Sequence, residues 1–266
     1  MDTEAELIKA AWCIKSYRQL LHQYICEIWD KEIIPNKWSE SRITPLWKRK
    51  GSRLDPCMYR GIALGSILVK IFMNIIIDRM ETFYNKNLLK TQFGFRKNKG
   101  CNDGIFVMKQ LQSIAIQQNR PLYTCFVDLS SAYDHINRKA LFQSIKNRIN
   151  PTGFDNNDNL KCVRILEQLY NYTTAFIKDE DPASKFIVST GIRQGGNEAQ
   201  NLFVLYEDYA LRIWREKCEK LGLNNLNIDY HIPSAATDRV QRSIAPVSGT
   251  LKDSEGAFAD DIGIHS

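Results

Sequence analysis

The chain has 266 residues, of which 44% are hydrophobic and 25% charged, a composition typical of an ordinary soluble globular protein. This length predicts one large domain or two closely packed subdomains rather than several modules. The formal net charge of +6 favours an anionic partner, with nucleic acid slightly ahead of a merely solvated basic surface.

The cysteines and the N-terminus argue against a secreted or membrane protein. The seven cysteines form no C-x-x-C pair and have no histidine set at zinc-ligand spacing. The N-terminus, "MDTEAELIKAAW", is acidic where a signal peptide is basic, and no apolar run approaches the roughly 20 residues of a membrane span. We therefore expect an intracellular, reduced protein.

Helical periodicity dominates the first half of the chain. Apolar residues recur at three- and four-residue steps from Leu7 to Trp29, which predicts an amphipathic helix. The stretch "SRITPLWKRKG" reads as extended chain with a basic turn between strands. A second helix is predicted from Ile67 to Phe83. A glycine-bearing basic loop, "QFGFRKNKGCNDG", then precedes a third helical stretch that ends near Asn119.

The second half opens with a strand, a turn and a helix. The run "PLYTCFVDL" fits a buried strand, and "SSAYDHINRKALFQSIKNRI" has helical spacing. A short helix, the strand "KFIVST" and the loop "GIRQGGNEAQ" follow, and a long helix then stops at Gly222. The piece "GAFADDIGIHS" predicts a β-hairpin with its carboxylates at the turn.

Two aspartates in "CFVDLSSAYDHI" invite different interpretations. Asp134 lies three residues after Ser131, so the pair predicts a capping box at a helix start. Asp128 ends an apolar strand, where a carboxylate is costly unless a cation or hydrogen-bond donors meet it. A divalent metal would need further oxygen ligands, and Asp260 and Asp261 offer them. Three such carboxylates are enough to hold two magnesium ions about 4 Å apart.

Six motifs, in order, resemble those of one enzyme family. "FVDLSSAYDHI", "GIRQGG....LF" and "FADD" resemble the palm motifs of a reverse transcriptase of the non-LTR retrotransposon (LINE-like) type. Upstream, "ITPLWKRKG", "DPCMYRGIAL....VKIF....DRM" and "QFGFRKNKG" resemble the fingers motifs of that family. The resemblance covers roughly residues 30 to 266.

The resemblance implies an α+β fold of the right-hand polymerase type. Residues 1–30 would form an N-terminal helical segment, residues 31–119 the fingers, and residues 120–266 an RRM-like palm in which helices pack on an antiparallel sheet. The palm would be truncated after the "FADD" motif, with the thumb absent. The chain would act in the nucleus, without a membrane.

The resemblance also implies the reaction and its site. The 3′-hydroxyl of a DNA primer would attack the α-phosphate of a deoxynucleoside triphosphate, and an RNA template would select the nucleotide. Two Mg²⁺ ions would serve as cofactors, and Mn²⁺ could replace them. Asp128, Asp260 and Asp261 would be catalytic residues and metal ligands.

Further residues match substrate contacts of the family. Tyr133 matches the ring that excludes a 2′-hydroxyl, although packing into the core is an equal alternative on its spacing alone. The remaining matches are Gln194 and Gly195 for the nucleotide and template base, Arg60 with Lys48 or Lys50 for the triphosphate, and Arg96, Lys97 and Lys99 for the template. For the lysines of the turn, a solvated surface is the simpler interpretation.

Departures from the family pattern keep two alternatives open. Ala199-Gln200 stands where the family has Ser-Pro, Gly61 replaces a proline, and Gly100-Cys101 stands where Ser-Thr is common. The missing thumb and the Ala199-Gln200 substitution favour a catalytically inactive remnant that only binds RNA or an RNA–DNA hybrid. A metal-dependent nuclease is a weaker alternative, since it leaves Gln194 and Tyr133 unexplained.

Overall fold

The computed structural model describes residues 5–149, 158–178, 184–222, 228–232, 247–251, 255–258 and 261–265. The described helices are α1 Ala5–Ala11, α2 Lys15–Lys31, α3 Ile67–Asn87, α4 Cys101–Gln117, α5 Arg138–Ile149, α6 Asp158–Asn171 and α7 Ala199–Lys220. The described strands are β1 Glu40–Trp47, β2 Tyr59–Leu64, β3 Thr124–Asp128, β4 Thr174–Ile177, β5 Phe186–Ile187, β6 Ile228–Ile232, β7 Val247–Leu251, β8 Glu255–Phe258 and β9 Asp261–His265.

The chain divides into two compact units. The first contains Met1–Asn87 and Ser131–Tyr206, and the second contains Leu88–Ser130 and Glu207–Ser266. Each unit is therefore built from two separate stretches of the chain. The predicted boundaries at residues 30 and 119 concern functional subdomains and stay a prediction.

The first unit has a mixed four-stranded sheet and a helical core. Its strands lie in the order β2-β1-β4-β5, with β1 antiparallel to β2 and parallel to β4. Helices α3 and α5 both pack on α6. The helix predicted from Ile67 to Phe83 is confirmed as α3, and its buried residues include Phe72, Ile76, Met80 and Phe83. The side chains that are almost fully buried in this core include Phe72, Met73, Ile76, Met80, Leu141, Ile145, Ile165, Leu166 and Leu169.

Helix α2 is attached to α6 by charged and aromatic contacts. Arg164 donates to both carboxylate oxygens of Glu32, at 2.6 and 2.9 Å. The Trp29 ring lies between two cations, with the Arg79 guanidinium at 4.0 Å and the Lys161 ammonium at 4.7 Å from its centroid. These contacts position the N-terminal helix on the first unit.

The predicted helix from Leu7 to Trp29 is two helices. Helix α1 ends at Ala11 and α2 begins at Lys15. Between them, the N–H of Ile14 donates to the carbonyl of Ala11 at 3.0 Å, a three-residue span that replaces the regular four-residue ladder.

The second unit carries the predicted hairpin, which is confirmed. Strands β8 and β9 pair antiparallel with Phe258 opposite Asp261, so residues 259 and 260 connect them. Strand β9 also pairs antiparallel with β3, which gives a three-stranded sheet in the order β3-β9-β8. Helix α4 lies against β8. Residues 223–256, which show weak periodicity in the sequence, contain the antiparallel pair β6–β7.

Strand β3 is not the buried strand that the sequence predicts. The side chain of Phe126 is 77% exposed, and Cys125 and Asp128 are also exposed. Strand β3 forms one edge of its sheet, and the residue opposite Phe126 is Gly263, which has no side chain to cover the ring. The argument that Asp128 would be a buried carboxylate is therefore wrong.

The segment after β3 begins with a short 3₁₀ turn, Ala132–His135, and the α-helix starts only at Arg138. Ser131 has a φ of 50° and makes no side-chain capping bond, so the predicted capping box with Asp134 is wrong. Asn137 is the cap instead, since its side-chain oxygen accepts from the N–H of Ala140 at 3.0 Å.

Among the residues that the structure describes, no helix is long and apolar enough to cross a membrane.

Candidate active site

The second unit brings two of the predicted metal ligands opposite each other. Asp128, the last residue of β3, is the register partner of Asp261, the first residue of β9. Directly opposite residues of an antiparallel pair share one face of the sheet, with Cβ atoms about 5 Å apart. Asp128 is exposed to solvent, so a ligand can reach its carboxylate. The pairing joins two residues that are far apart in the sequence.

The third predicted ligand, Asp260, lies outside the described residues, and Asp261 is described by its backbone alone. Within the described part of the chain, no group of three or more His, Cys, Asp or Glu side chains could hold a metal ion. Paired carboxylates are nevertheless the hard oxygen donors that Mg²⁺ takes, often only one or two from the protein. Asp128 and Asp261 are thus of the residue type that suits a divalent cation, and the metal site with its three ligands stays a prediction.

Two glycines lie opposite Phe126 on the neighbouring strands of the sheet, next to the paired aspartates. Phe126 is opposite Gly263 on β9, which is itself opposite Gly256 on β8. Phe126 and Asp128 are two residues apart on β3 and so share a face of the sheet. At the level of Phe126, neither β9 nor β8 therefore contributes a side chain to that face of the sheet, because both positions are glycines.

In the first unit, the loop "GIRQGG" is joined to the segment that contains Tyr133. The N–H of Gly191 donates to the carbonyl of Ile136 at 3.0 Å, and the N–H of Ile192 donates to the carbonyl of Tyr133 at 2.9 Å. Gly191 has a φ of +73°, and a Cβ there would lie 2.6 Å from the carbonyl oxygen of Tyr133. Only glycine allows this close approach without strain.

The same loop docks on β2. The N–H of Ala63 donates to the carbonyl of Gln194 at 2.7 Å. Gly195 has a φ of +115°, and a Cβ there would lie 3.0 Å from the carbonyl oxygen of Ala63. Strand β2 also carries Arg60, whose side chain is exposed. The first unit thus assembles three of the predicted substrate-binding elements: the Tyr133 segment, the Gln194 loop and the Arg60 strand.

Tyr133 stacks on a helix of the same unit. Its ring lies 4.9 Å from the ring of Phe203 on α7, with an interplanar angle of 8°. The stack fixes the plane of the Tyr133 ring, which the sequence alone did not predict. Core packing, the alternative interpretation of this residue, is thus part of its role, and the contact with substrate stays a prediction.

Lys48 is engaged within its own hairpin. Its ammonium donates to the carbonyl of Cys57 at 2.8 Å, and its backbone N–H donates to the carbonyl of Met58 at 2.8 Å. Lys50, at the tip of the turn, is exposed. The contact of Lys48 with a triphosphate stays a prediction that requires its bond to Cys57 to be exchanged.

The predicted template-binding loop belongs to the second unit and is held from α7. The side chain of Gln92 is buried and donates to Glu207 at 2.6 Å, and the N–H of Leu89 donates to Asp208 at 2.7 Å. Arg96 turns its Nη1 to the carbonyls of Leu89 and Gln92, at 3.0 and 3.2 Å. Arg96 therefore shapes the loop.

Two exposed lysines belong to the same loop. Lys97 and Lys99 are exposed, and the ammonium of Lys99 lies 6.0 Å from the centroid of the Phe93 ring. Template binding by Arg96, Lys97 and Lys99 stays a prediction.

Sequence reasoning missed two arginines that hold the Gln194 loop. Arg138 donates four hydrogen bonds, to the carbonyls of Gly191, Tyr170, Val188 and Thr190, at 2.6 to 3.1 Å. Burial lowers the pKa of its guanidinium, and the neighbouring Arg193 lowers it further.

Arg193 is the second of these arginines. It is 6% exposed and donates to the carbonyls of Trp38 and Leu169 at 3.0 and 2.9 Å. The only sequence signal was the position of Arg193 directly before Gln194.

The fold is similar to that of solved telomerase structures. Apo telomerase from Candida tropicalis, truncated from its C-terminal domain, superposes with a TM-score of 0.56 at 12% identity, over 88% of this chain and 45% of that chain. Telomerase from the same organism in complex with a TWJ fragment of telomeric RNA gives a TM-score of 0.53 at 10% identity, over 94% and 40%. The chain therefore has an α+β fold similar to that of these telomerase structures.

Sequence similarity identifies the family. Residues 48–266 match the family model of reverse transcriptase (RNA-dependent DNA polymerase), and the chain belongs to this family. It is 24% identical, over 158 residues, to the retrovirus-related Pol polyprotein from type-2 retrotransposable element R2DM of Drosophila melanogaster. It is 20% identical, over 250 residues, to the corresponding polyprotein from type-1 retrotransposable element R2 of Nasonia vitripennis.

These matches confirm the resemblance to non-LTR retrotransposon reverse transcriptases. They cover 59% and 91% of this chain, which spans only 14% and 22% of the two polyproteins.

Proposed function

We propose that this chain is an RNA-directed DNA polymerase domain that extends a DNA primer on an RNA template. The observation that carries the proposal is the register pairing of Asp128 with Asp261 at the start of the hairpin strand β9. Membership of the reverse transcriptase family supports it. In finer detail, the β3-β9-β8 sheet would belong to an RRM-like palm.

The carboxylates would act together as a divalent-metal site. Asp128 and Asp261 occupy opposite positions on neighbouring strands, and Asp260 comes directly before Asp261 in the sequence. When bound, two Mg²⁺ ions would lower the pKa of the primer hydroxyl and neutralise charge on the leaving pyrophosphate. The role of the protein is to hold three negative charges at one end of a sheet.

Basic and polar groups of the chain would orient the incoming nucleotide. Arg60 is exposed on β2 and presents a fork of donors that suits phosphate oxygens. Gly195 and Gly196 carry no side chain, so the backbone of the Gln194 loop could approach a base pair closely. Tyr133, held flat against Phe203, would lie beneath the sugar and exclude a 2′-hydroxyl. The exposed Lys97 and Lys99 would contact template phosphates, which makes template binding salt-dependent.

Primer extension on an RNA template tests the proposal. The 266-residue chain is assayed with a DNA primer, deoxynucleotides and Mg²⁺, beside Asp128→Ala and the matched control Asp134→Ala. Asp134 is exposed and belongs to the same motif but forms part of the 3₁₀ turn. We expect extension by the unaltered chain and by Asp134→Ala, and none by Asp128→Ala.

The alternatives give different outcomes in this assay. Salt-sensitive RNA binding without extension by the unaltered chain would contradict the proposal and indicate an inactive remnant. Metal-dependent cleavage of the template without extension would indicate a nuclease.

A further inference from the structure

Tyr170, on α6, contacts Arg138, Arg193 and Glu198, three residues that contact or flank the Gln194 loop. Its carbonyl accepts from Arg138 at 2.6 Å, and its ring centroid lies 5.3 Å from the Arg138 guanidinium and 5.4 Å from that of Arg193. Its hydroxyl donates to the carboxylate of Glu198 at 2.7 Å. The side chain is 1% exposed, and burial, followed by the nearby Glu198, raises its pKa well above the ordinary value.

The groups that meet at Tyr170 bracket the loop in the sequence. Arg193 directly precedes Gln194, and Glu198 comes two residues after Gly196. The N–H of Gly196 donates to the carbonyl of Arg193 at 3.1 Å, which closes the loop into a turn. Movement of the buried Arg193 or Glu198 side chain would therefore displace the turn between them.

The position of the Glu198 carboxylate depends on its hydrogen bond from the Tyr170 hydroxyl. Its carboxylate is 3% exposed and lies at the N-terminus of α7, where the helix dipole favours negative charge. A buried carboxylate still requires hydrogen-bond donors, and Tyr170 supplies one. A Cβ on Gly196 would lie 2.5 Å from a carboxylate oxygen of Glu198, so this carboxylate packs directly against the loop. Without the hydroxyl, the carboxylate is expected to move and to shift Gly196 with it.

We infer that Tyr170 is a positioning residue for nucleotide binding, acting on Gln194 and Gly195 through Glu198 and Arg193. The inference rests on the proposed polymerase function. Because the loop would contact the nucleotide in the ground state and in the transition state alike, a displaced loop should raise KM for the deoxynucleotide more than it lowers kcat.

Tyr170→Phe removes the hydroxyl and keeps the buried ring. Tyr172→Phe is the matched control, because Tyr172 lies two residues away and is 85% exposed. In steady-state primer extension we expect Tyr170→Phe to raise KM for the deoxynucleotide about tenfold, the effect of one unsatisfied buried donor or acceptor. Tyr172→Phe should leave KM unchanged.

A double-mutant cycle separates positioning from general destabilisation. In a Gln194→Ala background, Tyr170→Phe should change KM by less than about twofold, because the Gln194 side chain that Tyr170 positions is gone. A structural defect unrelated to the loop would instead add its full effect in both backgrounds. Should Tyr170→Phe fold poorly, the additional change Glu198→Gln removes the buried charge and should restore part of the lost affinity.

The outcomes distinguish this inference from the proposed function. Equal KM values for Tyr170→Phe and Tyr172→Phe, in an active chain, would overturn the inference. An unaltered chain that does not extend a primer would overturn the proposed function. In that case, hydrogen exchange of the amides from 191 to 196 decides: faster exchange in Tyr170→Phe than in Tyr172→Phe supports the positioning network, and equal exchange overturns it.

Discussion

Gly191 is the position at which one methyl group should most clearly disturb the candidate site. Its φ of +73° is left-handed, which costs a residue with a Cβ about 1–2 kcal/mol. The new Cβ in Gly191→Ala would also lie 2.6 Å from the carbonyl oxygen of Tyr133 and 2.8 Å from the Cα of Asp134. Both are backbone atoms that cannot rotate away, so overpacking adds about 1–3 kcal/mol. The expected loss of unfolding free energy is about 2–5 kcal/mol.

Gly222→Ala is the control for the backbone contribution. Gly222 has a nearly equal φ of +68°, and a Cβ there would have no heavy atom of the described residues within 4 Å. This variant should lose only the conformational contribution of about 1–2 kcal/mol. Urea denaturation followed by circular dichroism measures both changes. Equal losses in the two variants would refute the argument that Gly191 is required for its close contact with the Tyr133 segment.

Three further predictions concern buried or paired side chains. The hydrogen bonds from Arg164 lower the pKa of Glu32 below its ordinary value of 4.5. The ion pair therefore stabilises the folded chain above pH 4.5, and this stabilisation is lost as the pH falls through the pKa of Glu32 in the folded state. The stability difference between the unaltered chain and Glu32→Gln, from urea denaturation at several pH values, should therefore shrink in acid and not in base. Burial raises the pKa of the Cys162 thiol to about 11, so alkylation of the native protein at pH 8 followed by mass spectrometry should modify the exposed Cys101 and leave Cys162 unmodified. The Asp208 carboxylate is fully buried and accepts from the N–H of Leu89 and from Arg212 of its own helix. Asp208→Ala leaves that N–H without its partner, so it should lower the free energy of unfolding by about 1–3 kcal/mol in urea denaturation, and a variant as stable as the unaltered chain would contradict this role.

The helices and the hairpin could be predicted because their signals are local. The apolar residues of α3 recur at helical spacing, and the paired strands β8 and β9 correspond to two short apolar stretches on either side of an Asp-Asp pair in the sequence. Motif order was equally informative, since it identified the reverse transcriptase family that the family model confirms.

Local signals failed where a residue's environment depends on its partners. The run "PLYTCFVDL" has the composition of a buried strand, yet Phe126 is exposed because its partner across β9 is Gly263. Ser131 and Asp134 have the spacing of a capping box, but the left-handed backbone at Ser131 prevents it and Asn137 caps α5 instead. In both cases the pattern was compatible with two structures, and the backbone conformation or the strand partner, which the pattern does not contain, decided between them.

The sequence by itself determined which residues are available for chemistry: the aspartates Asp128, Asp260 and Asp261, the Gln194 loop, and the family to which the chain belongs. Only the tertiary structure decided that Asp128 faces Asp261 across a strand pair, and that Arg138 and Arg193 meet at Tyr170 beneath the loop. The reason is physical. Helix stripes and tight turns depend on neighbours within a few positions, whereas strand register and buried hydrogen bonds join residues that are distant in the sequence.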